Sequence, residues 1–180
     1  MALRINFYGG PGVGKSTLAA RVFAGLKQSG VTAELVTEFI KPWAYEGIEL
    51  DVFEHMYIFG NQLRNELRFI KADLDVVVTD SPILLQGFYI SKKNESVGQA
   101  VKSIALDYED KYPTLNFFVY RSFPYDNEGR YQDGIAAKKL DIELEYLLQK
   151  SSLAYYSIYP DQHTEIIQII QTFLEQHNND

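Results

Sequence analysis

The stretch "GGPGVGKST" (residues 9–17) fits the pattern G-x-x-x-x-G-K-[S/T], in which a loop of backbone N–H groups holds a polyphosphate. Glycines let these N–H groups turn inward, and the Lys15 ammonium reaches the β and γ phosphates. The Ser16 hydroxyl completes the coordination of a Mg²⁺ ion that those phosphates hold. The pattern therefore predicts ATP and Mg²⁺ as cofactors, bound by Gly9, Gly10, Gly12, Val13, Gly14, Lys15, Ser16 and Thr17.

The residues on either side of this loop support the interpretation. "LRINFY" (3–8) is typical of a β-strand, and "KSTLAARVFAGLKQS" (15–29) is typical of an amphipathic helix. A helix that begins at the end of the loop adds its positive N-terminal dipole to the phosphate site. A glycine-rich turn without a ligand is the alternative for the bare string, and the strand–loop–helix context argues against it.

Composition limits the classes of protein that fit. The chain has 180 residues, of which 46% are hydrophobic, so we expect a single domain over residues 1–180 with one continuous core. It has no cysteine, which excludes disulfides and thiolate metal sites. Its net charge of −7 argues against a nucleic-acid partner. The first eight residues are too short an apolar run for a signal sequence or a membrane span, so we expect a cytoplasmic protein without a membrane partner, in a host cell's cytoplasm if it is viral.

Short β-rich runs alternate with longer helical stretches, which predicts an α/β domain with a mainly parallel sheet. The valine run before Asp80 suits a central strand that is covered on both faces. Residues 91–96 and 122–134 are predicted to be polar loops, and Asp161 a helix N-cap. The predicted strands are 3–8, 32–37, 75–80, 116–121 and 153–158, and the predicted helices are 15–29, 52–70, 96–110, 134–150 and 161–176.

Four features in this order resemble the P-loop nucleoside and nucleotide kinase group: the loop at 9–17, the acid in "VTEF" (36–39), "TDSP" (79–82) and an arginine-containing loop after strand four. Within that group the chain is most similar to the ribosylnicotinamide-kinase-like branch of small AAA-type domains, which includes many viral (phage-type) nucleotide kinases and ATPases. The resemblance implies a three-layer P-loop NTPase domain. Its five-stranded parallel sheet would have the order 2-3-1-4-5, with a short lid loop.

Two acids follow predicted strands at the carboxyl edge of the sheet, where α/β domains bind ligands. Asp80 can hold a water of the Mg²⁺ shell or orient the attacking hydroxyl, so Ser16 and Asp80 are the predicted metal residues. The alternative is that Asp80 only begins a turn before Ser81. Glu38 matches the acid that, in the resembling kinases, takes the proton of the acceptor hydroxyl or binds the sugar; otherwise it is an exposed strand-end glutamate.

Arg121 and Arg130 lie at the start of and inside the predicted lid, at about 121–134. Arginines on such a loop can close over the nucleotide and place guanidinium groups on the transferred phosphoryl. The alternative is a pair of solvated arginines beside a polar turn. The predicted catalytic set is therefore Lys15, Glu38, Asp80, Arg121 and Arg130.

The acceptor is expected above the helix that begins at Val52. An aromatic face and an amide can stack on a base and hydrogen-bond to it, and the resembling deoxynucleoside kinases carry a base-reading glutamine there. The alternative is that the aromatic residues, which recur at helical spacing, belong to the core. The candidate substrate residues are Glu38, Trp43, Tyr57, Gln62 and Arg64.

The leading hypothesis is an ATP-dependent phosphotransferase that acts on a nucleoside, a nucleoside monophosphate or a related ribosyl compound. A P-loop ATPase or GTPase switch that acts with a protein partner is a second hypothesis, although no guanine-reading N-K-x-D string is present. A kinase that acts on nucleic acid is a third, which the acidic charge disfavours. Small kinases of this type are often dimers, so a homodimer remains open.

Overall fold

A parallel sheet of five strands organises the chain, as predicted. The computed structural model describes residues 1–40, 43, 45–122 and 134–177. The strand order is β2-β3-β1-β4-β5, and every pairing is parallel. This result confirms the predicted α/β class and the predicted order. The strands are β1 (Leu3–Tyr8), β2 (Ala33–Val36), β3 (Val76–Thr79), β4 (Thr114–Val119) and β5 (Tyr156–Ile158).

Helices cover both faces of the sheet. On one face, the helices that follow β1 and β5 pack against the apolar side of β1, and on the other face lie four further helices of the described residues. The two core clusters are separated by the sheet, so the domain has three layers. Within the described residues, the main helices are α1 (Lys15–Gln28), α2 (Val52–Ile70), α3 (Leu84–Lys93), α4 (Glu95–Lys111), α5 (Gly134–Lys150) and α6 (His163–His177).

Strand β1 shows how the sequence divides these two layers. Leu3, Ile5 and Phe7 belong to the cluster beneath α1 and α6. Because successive side chains of a strand point to opposite faces, Arg4 and Asn6 point toward α2 and α4. Both polar side chains are buried there, at 1% and 0% exposure. Strand β1 therefore has an apolar face and a polar face, and helices cover both.

The prediction of a polar loop at 91–96 is wrong. Residues 91–93 end α3, a helix that the pattern did not predict, and residue 95 begins α4. Asn94 alone separates them: its backbone N–H donates to the Ile90 carbonyl, and its side chain accepts the N–H of Val97. One residue thus ends one helix and caps the next, because asparagine's short side chain can replace a backbone acceptor.

Other boundaries shift by a few residues. Strand β4 lies two residues earlier than predicted, so Arg121 follows the strand instead of ending it, and β5 is shorter than predicted. Helix α6 begins at His163, two residues later than predicted, so Gln162 and not Asp161 is the residue just before the helix. The Gln162 carbonyl accepts the first helical hydrogen bond, from the N–H of Ile166. Residues 123–133, most of the predicted lid, lie outside the described residues. Within the described part of the chain, no helix has the length and apolar character needed to cross a membrane.

Candidate nucleotide site

The loop at 9–17 follows β1 and leads into α1, as the pattern requires. Gly9, Gly12 and Gly14 have φ angles of 140°, 75° and 98°, which are in the left-handed region that favours glycine. A Cβ atom at Gly9 would also lie 2.8 Å from the carbonyl oxygen of Val119 in the neighbouring strand β4. Val13 is 1% exposed and packs into the core, which anchors the loop.

Lys15 crosses the loop. Its Nζ atom donates hydrogen bonds to the carbonyl oxygens of Gly9 and Gly10, both at 2.8 Å. Burial lowers the pKa of Lys15 below its ordinary value, and the carboxylates of Glu38, Asp80 and Asp141 act in the opposite direction. The lysine side chain therefore lies among several acidic groups, two of which are predicted site residues.

The residues present fit a polyphosphate. Gly14 occupies the N-cap position of α1 and has no side chain, so no side-chain cap covers the first N–H groups of the helix. Pro160, from the turn after β5, approaches this residue: a Cβ atom at Gly14 would lie 3.2 Å from the proline Cβ. A helix N-terminus with uncapped donors, next to a partly buried ammonium, is the donor set that phosphate oxygens require. Ser16 and Thr17 occupy the first turn of the helix.

The structure brings Glu38 and Asp80 together. The backbone N–H of Glu38 donates to Asp80 Oδ1 at 2.9 Å, and this bond joins the segments that follow β2 and β3. The Asp80 side chain is buried, at 3% exposure, whereas Glu38 is half-buried. Both acids lie at the carboxyl edge of the sheet and within electrostatic reach of Lys15. Their catalytic and metal-binding roles stay predictions.

Gln62 lies behind this edge. It is 1% exposed, and its Nε2 atom donates to Thr79 Oγ1 at 3.0 Å and to Glu66 Oε1 at 3.2 Å. Thr79 Oγ1 also accepts the N–H of Ser81 at 3.2 Å. The predicted role of Gln62 in reading an acceptor stays a prediction; in this placement its amide supports the turn around Asp80 from inside the protein. The sequence pattern missed this role since it does not tell which face of α2 turns inward.

Two of the other predicted acceptor residues meet at the surface. The rings of Trp43 and Tyr57 are nearly parallel, at 3°, with centroids 6.2 Å apart. Phe39, next to Glu38 in the chain, packs edge-on against Tyr57 with a centroid distance of 5.8 Å. Tyr57 is 56% exposed, so the cluster of Phe39, Trp43 and Tyr57 is open to solvent. Arg64 is an exposed residue of α2, and its predicted role stays a prediction.

Arg121 is bound to a residue that the sequence analysis did not identify. Its Nε atom donates to Asp141 Oδ2 at 2.8 Å, and its Nη2 atom donates to the Pro11 carbonyl at 2.8 Å. Asp141 Oδ1 in turn accepts the N–H of Gly10 at 2.9 Å. In sequence Asp141 resembles any acid on the surface of a helix, so only its packing identifies it. Arg130 lies outside the described residues, and its predicted role stays a prediction.

Comparison with known protein families agrees with this geometry. A family model described as an AAA domain matches residues 4–165, which run from β1 to beyond β5. No curated protein matches the chain. The family match covers the phosphate loop, both strand-end acids and Asp141.

Proposed function

This chain belongs to the AAA domain family, and from that premise we propose that it is a Mg²⁺-ATP-dependent phosphotransferase. The proposed acceptor is a nucleoside, a nucleoside monophosphate or a related ribosyl compound. The observation that carries the proposal is the meeting of Glu38 and Asp80 beside Lys15, next to an exposed aromatic cluster. This arrangement provides two carboxylates and a surface for a flat ring near one phosphate loop.

Mg²⁺-ATP, when bound, supplies the phosphoryl group that is transferred. The backbone N–H groups of the loop would bind phosphate oxygens, except that of Gly10, which donates to Asp141, and Lys15 would neutralise their charge. Ser16 and Asp80 are the residues that would hold the metal ion and its water shell. Positioning and charge neutralisation are the main contributions that a protein makes to phosphoryl transfer.

Glu38 is the proposed general base. Its carboxylate would accept the proton of the acceptor hydroxyl as that oxygen attacks the γ-phosphorus, while the leaving oxygen remains on ADP. Its backbone N–H is held by Asp80, so the position of Glu38 relative to the metal-binding acid is restrained. A base and a metal-binding acid linked in this way suit the transfer to a hydroxyl.

The aromatic cluster supports a nucleoside-like acceptor. Tyr57 and Trp43 present stacked rings, and rings of this kind bind planar bases through offset stacking. Phe39 joins the cluster directly to the segment of Glu38. A base held there would bring its sugar toward the acid.

A partner-dependent ATPase is the second candidate, because the family is described as an AAA domain and not as a kinase. In that case the γ-phosphate is transferred to water, and a protein partner controls the rate. This candidate predicts no response to small acceptors.

The test is turnover with defined acceptors. Purified protein is incubated with Mg²⁺-ATP alone, and then with nucleosides, deoxynucleosides, their monophosphates and nicotinamide riboside, while ADP release and product mass are followed. Lys15→Ala serves as the blank. The proposal expects one acceptor class to raise ADP release and to gain one phosphoryl group. Equal slow ADP release with every acceptor would overturn it and favour the ATPase.

A further inference from the structure

Asp141 of α5 reaches the phosphate loop from 131 positions along the chain. Its Oδ1 atom accepts the Gly10 N–H at 2.9 Å and Arg121 Nη2 at 3.1 Å, and its Oδ2 atom accepts Arg121 Nε at 2.8 Å. Arg121 and Asp141 therefore form a bidentate ion pair, and the same carboxylate also accepts the backbone N–H of Gly10. Such charge-assisted bonds are among the strongest and the most directional in proteins.

Arg121 and Asp141 together form a clamp on the first half of the phosphate loop. Its Nη2 atom also donates to the Pro11 carbonyl at 2.8 Å, so two consecutive loop residues, Gly10 and Pro11, are held by one ion pair. The Arg121 and Asp141 side chains are only 10% and 20% exposed. Solvent therefore screens this pair less than an ordinary surface ion pair.

The contact between Asp141 and Gly10 requires a glycine. A Cβ atom at Gly10 would lie 2.0 Å from Asp141 Oδ1 and 3.1 Å from the Ala137 carbonyl oxygen. The phosphate-loop pattern allows any residue at this position. The glycine in this chain is thus accounted for by the close approach of α5 and not by the phosphate pattern.

The clamp is linked to the phosphate-binding lysine through the same residue. The Gly10 N–H donates to Asp141, while the Gly10 carbonyl accepts from Lys15 Nζ at 2.8 Å. A displacement of Gly10 therefore moves an acceptor that restrains the Lys15 ammonium. Small displacements of a binding group are costly, because its interactions depend steeply on geometry.

We propose that Asp141 is a positioning residue of the nucleotide site. It holds Gly10 and Arg121, and through them it sets the first half of the phosphate loop and the Lys15 ammonium. Arg121 acts on this loop through its hydrogen bond to the Pro11 carbonyl. The inference rests on the nucleotide-binding part of the proposed function and does not depend on the acceptor.

The test compares Asp141→Asn with Glu143→Gln. Glu143 is two positions away on the same helix and pairs with Lys92 at the surface, so its variant is the matched control. Binding of Mg²⁺-ADP and of a non-hydrolysable Mg²⁺-ATP analogue is measured by calorimetry, without any acceptor. We expect the dissociation constant of Asp141→Asn to rise roughly tenfold, the scale of one lost charge-assisted hydrogen bond. Glu143→Gln is expected to bind as the original protein does.

The calorimetric stoichiometry separates positioning from simple loss of structure. A merely structural role reduces the fraction of active sites and leaves the dissociation constant of the remaining sites unchanged, which would overturn the proposal. A positioning role raises the dissociation constant at full stoichiometry. If Asp141→Asn does not fold, Arg121→Lys is measured in its place, because lysine keeps the positive charge but cannot form the two parallel hydrogen bonds to Asp141. A dissociation constant for Arg121→Lys equal to that of the original protein would also overturn the proposal.

The results also distinguish this inference from the proposed function. If the original protein binds neither nucleotide, the proposed function fails and this inference fails with it. If the original protein binds nucleotide and Asp141→Asn binds equally well, only the inference fails. If binding follows the expectation but no acceptor is phosphorylated, the inference stands and the phosphotransferase proposal falls.

Discussion

Gly10 is a single residue on which the spacing between α5 and the phosphate loop depends. We expect Gly10→Ala to displace the Asp141 carboxylate, because the new Cβ atom would lie 2.0 Å from Oδ1. The dissociation constant of Mg²⁺-ADP should rise by roughly tenfold, as for loss of the acid itself. Calorimetry on Gly10→Ala, Asp141→Ala and the double variant tests this expectation.

The double variant is the decisive sample. If the two substitutions break one contact, their effects on binding free energy are less than additive, because the contact is lost only once. Additive effects would show that Gly10 and Asp141 act on the nucleotide independently.

Glu38 is the second residue whose effect can be isolated. Glu38→Gln keeps the backbone N–H that donates to Asp80, so the geometry of the two strand ends is preserved. With the acceptor identified, kcat should fall by about 10²–10⁴, the usual contribution of a general base, while nucleotide binding changes little. Steady-state kinetics and calorimetry measure the two quantities. A kcat close to that of the original protein would remove Glu38 from the mechanism.

At the scale of elements, α3 and α4 pack closely at glycine positions. A Cβ atom at Gly98 would lie 2.4 Å from both the Cα and the N atoms of Ser91, and a backbone cannot move aside as a side chain can. We expect Gly98→Ala to lower the free energy of unfolding by roughly 1–3 kcal/mol or more. Urea unfolding curves provide the measurement.

Gly60 is the matched control for that experiment. It is an exposed residue of α2, and a Cβ atom there would meet nothing within 4 Å. Gly60→Ala should therefore raise the free energy of unfolding by about 0.5–1 kcal/mol, because alanine loses less backbone entropy in a helix. Equal destabilisation by both variants would mean that contact between α3 and α4 is not the cause.

These same helices mark a limit of sequence interpretation at this scale. The run that became α3 is almost uniformly buried in its first half, so it has little of the amphipathic periodicity that indicates a helix. From the sequence, Asn94 is predicted to belong to a polar loop, because the residue types that cap helices also favour turns. By contrast, α1, α2 and α5 have longer patterns, and they were predicted within a residue or two of their observed bounds.

Across the whole molecule, one buried network ties the phosphate-loop strand to two helices. Arg4 of β1 pairs with Glu66 of α2 at 3.1 Å and with Glu109 of α4 at 3.0 Å. These side chains are 1–3% exposed. Burial lowers the pKa of Arg4, but the two carboxylates outweigh it and raise the pKa above its ordinary value. Two carboxyl groups therefore share one buried guanidinium group.

The burial of Glu66 predicts a pH dependence of stability. Burial raises the pKa of Glu66 above its ordinary value of 4.5, while Arg4 acts in the opposite direction. Between the unfolded and the folded pKa, the folded protein binds a proton that the unfolded chain has lost, so this contribution to stability falls as pH rises through that window. Glu66→Gln has no such titration. The stability of the original protein relative to Glu66→Gln should therefore decrease as pH rises from about 4.5.

Urea unfolding of both proteins between about pH 4 and about pH 8 measures this difference. The exposed Glu46→Gln variant controls for the removal of one charge, and its difference from the original protein should not follow the same trend. A relative stability that increases with pH would show that pairing with Arg4 outweighs burial at Glu66.

Features formed by residues close together in the chain could be predicted from the sequence. The phosphate loop, the strand before it and the helix after it follow from glycine, lysine and hydrophobic spacing, because those effects act over a few residues. The strand-end acids Glu38 and Asp80 followed from the rule that parallel strands present their carboxyl ends at one edge.

Packing between distant segments decided the rest. The contacts of Asp141 with Gly10, of Gln62 with Thr79 and of Arg4 with Glu109 join residues 131, 17 and 105 positions apart. No local pattern distinguishes these side chains from ordinary helix and strand residues. Their surroundings are set by how the helices pack on the sheet, since burial and partner distance depend on the relative positions of whole elements and not on the propensities within any one of them.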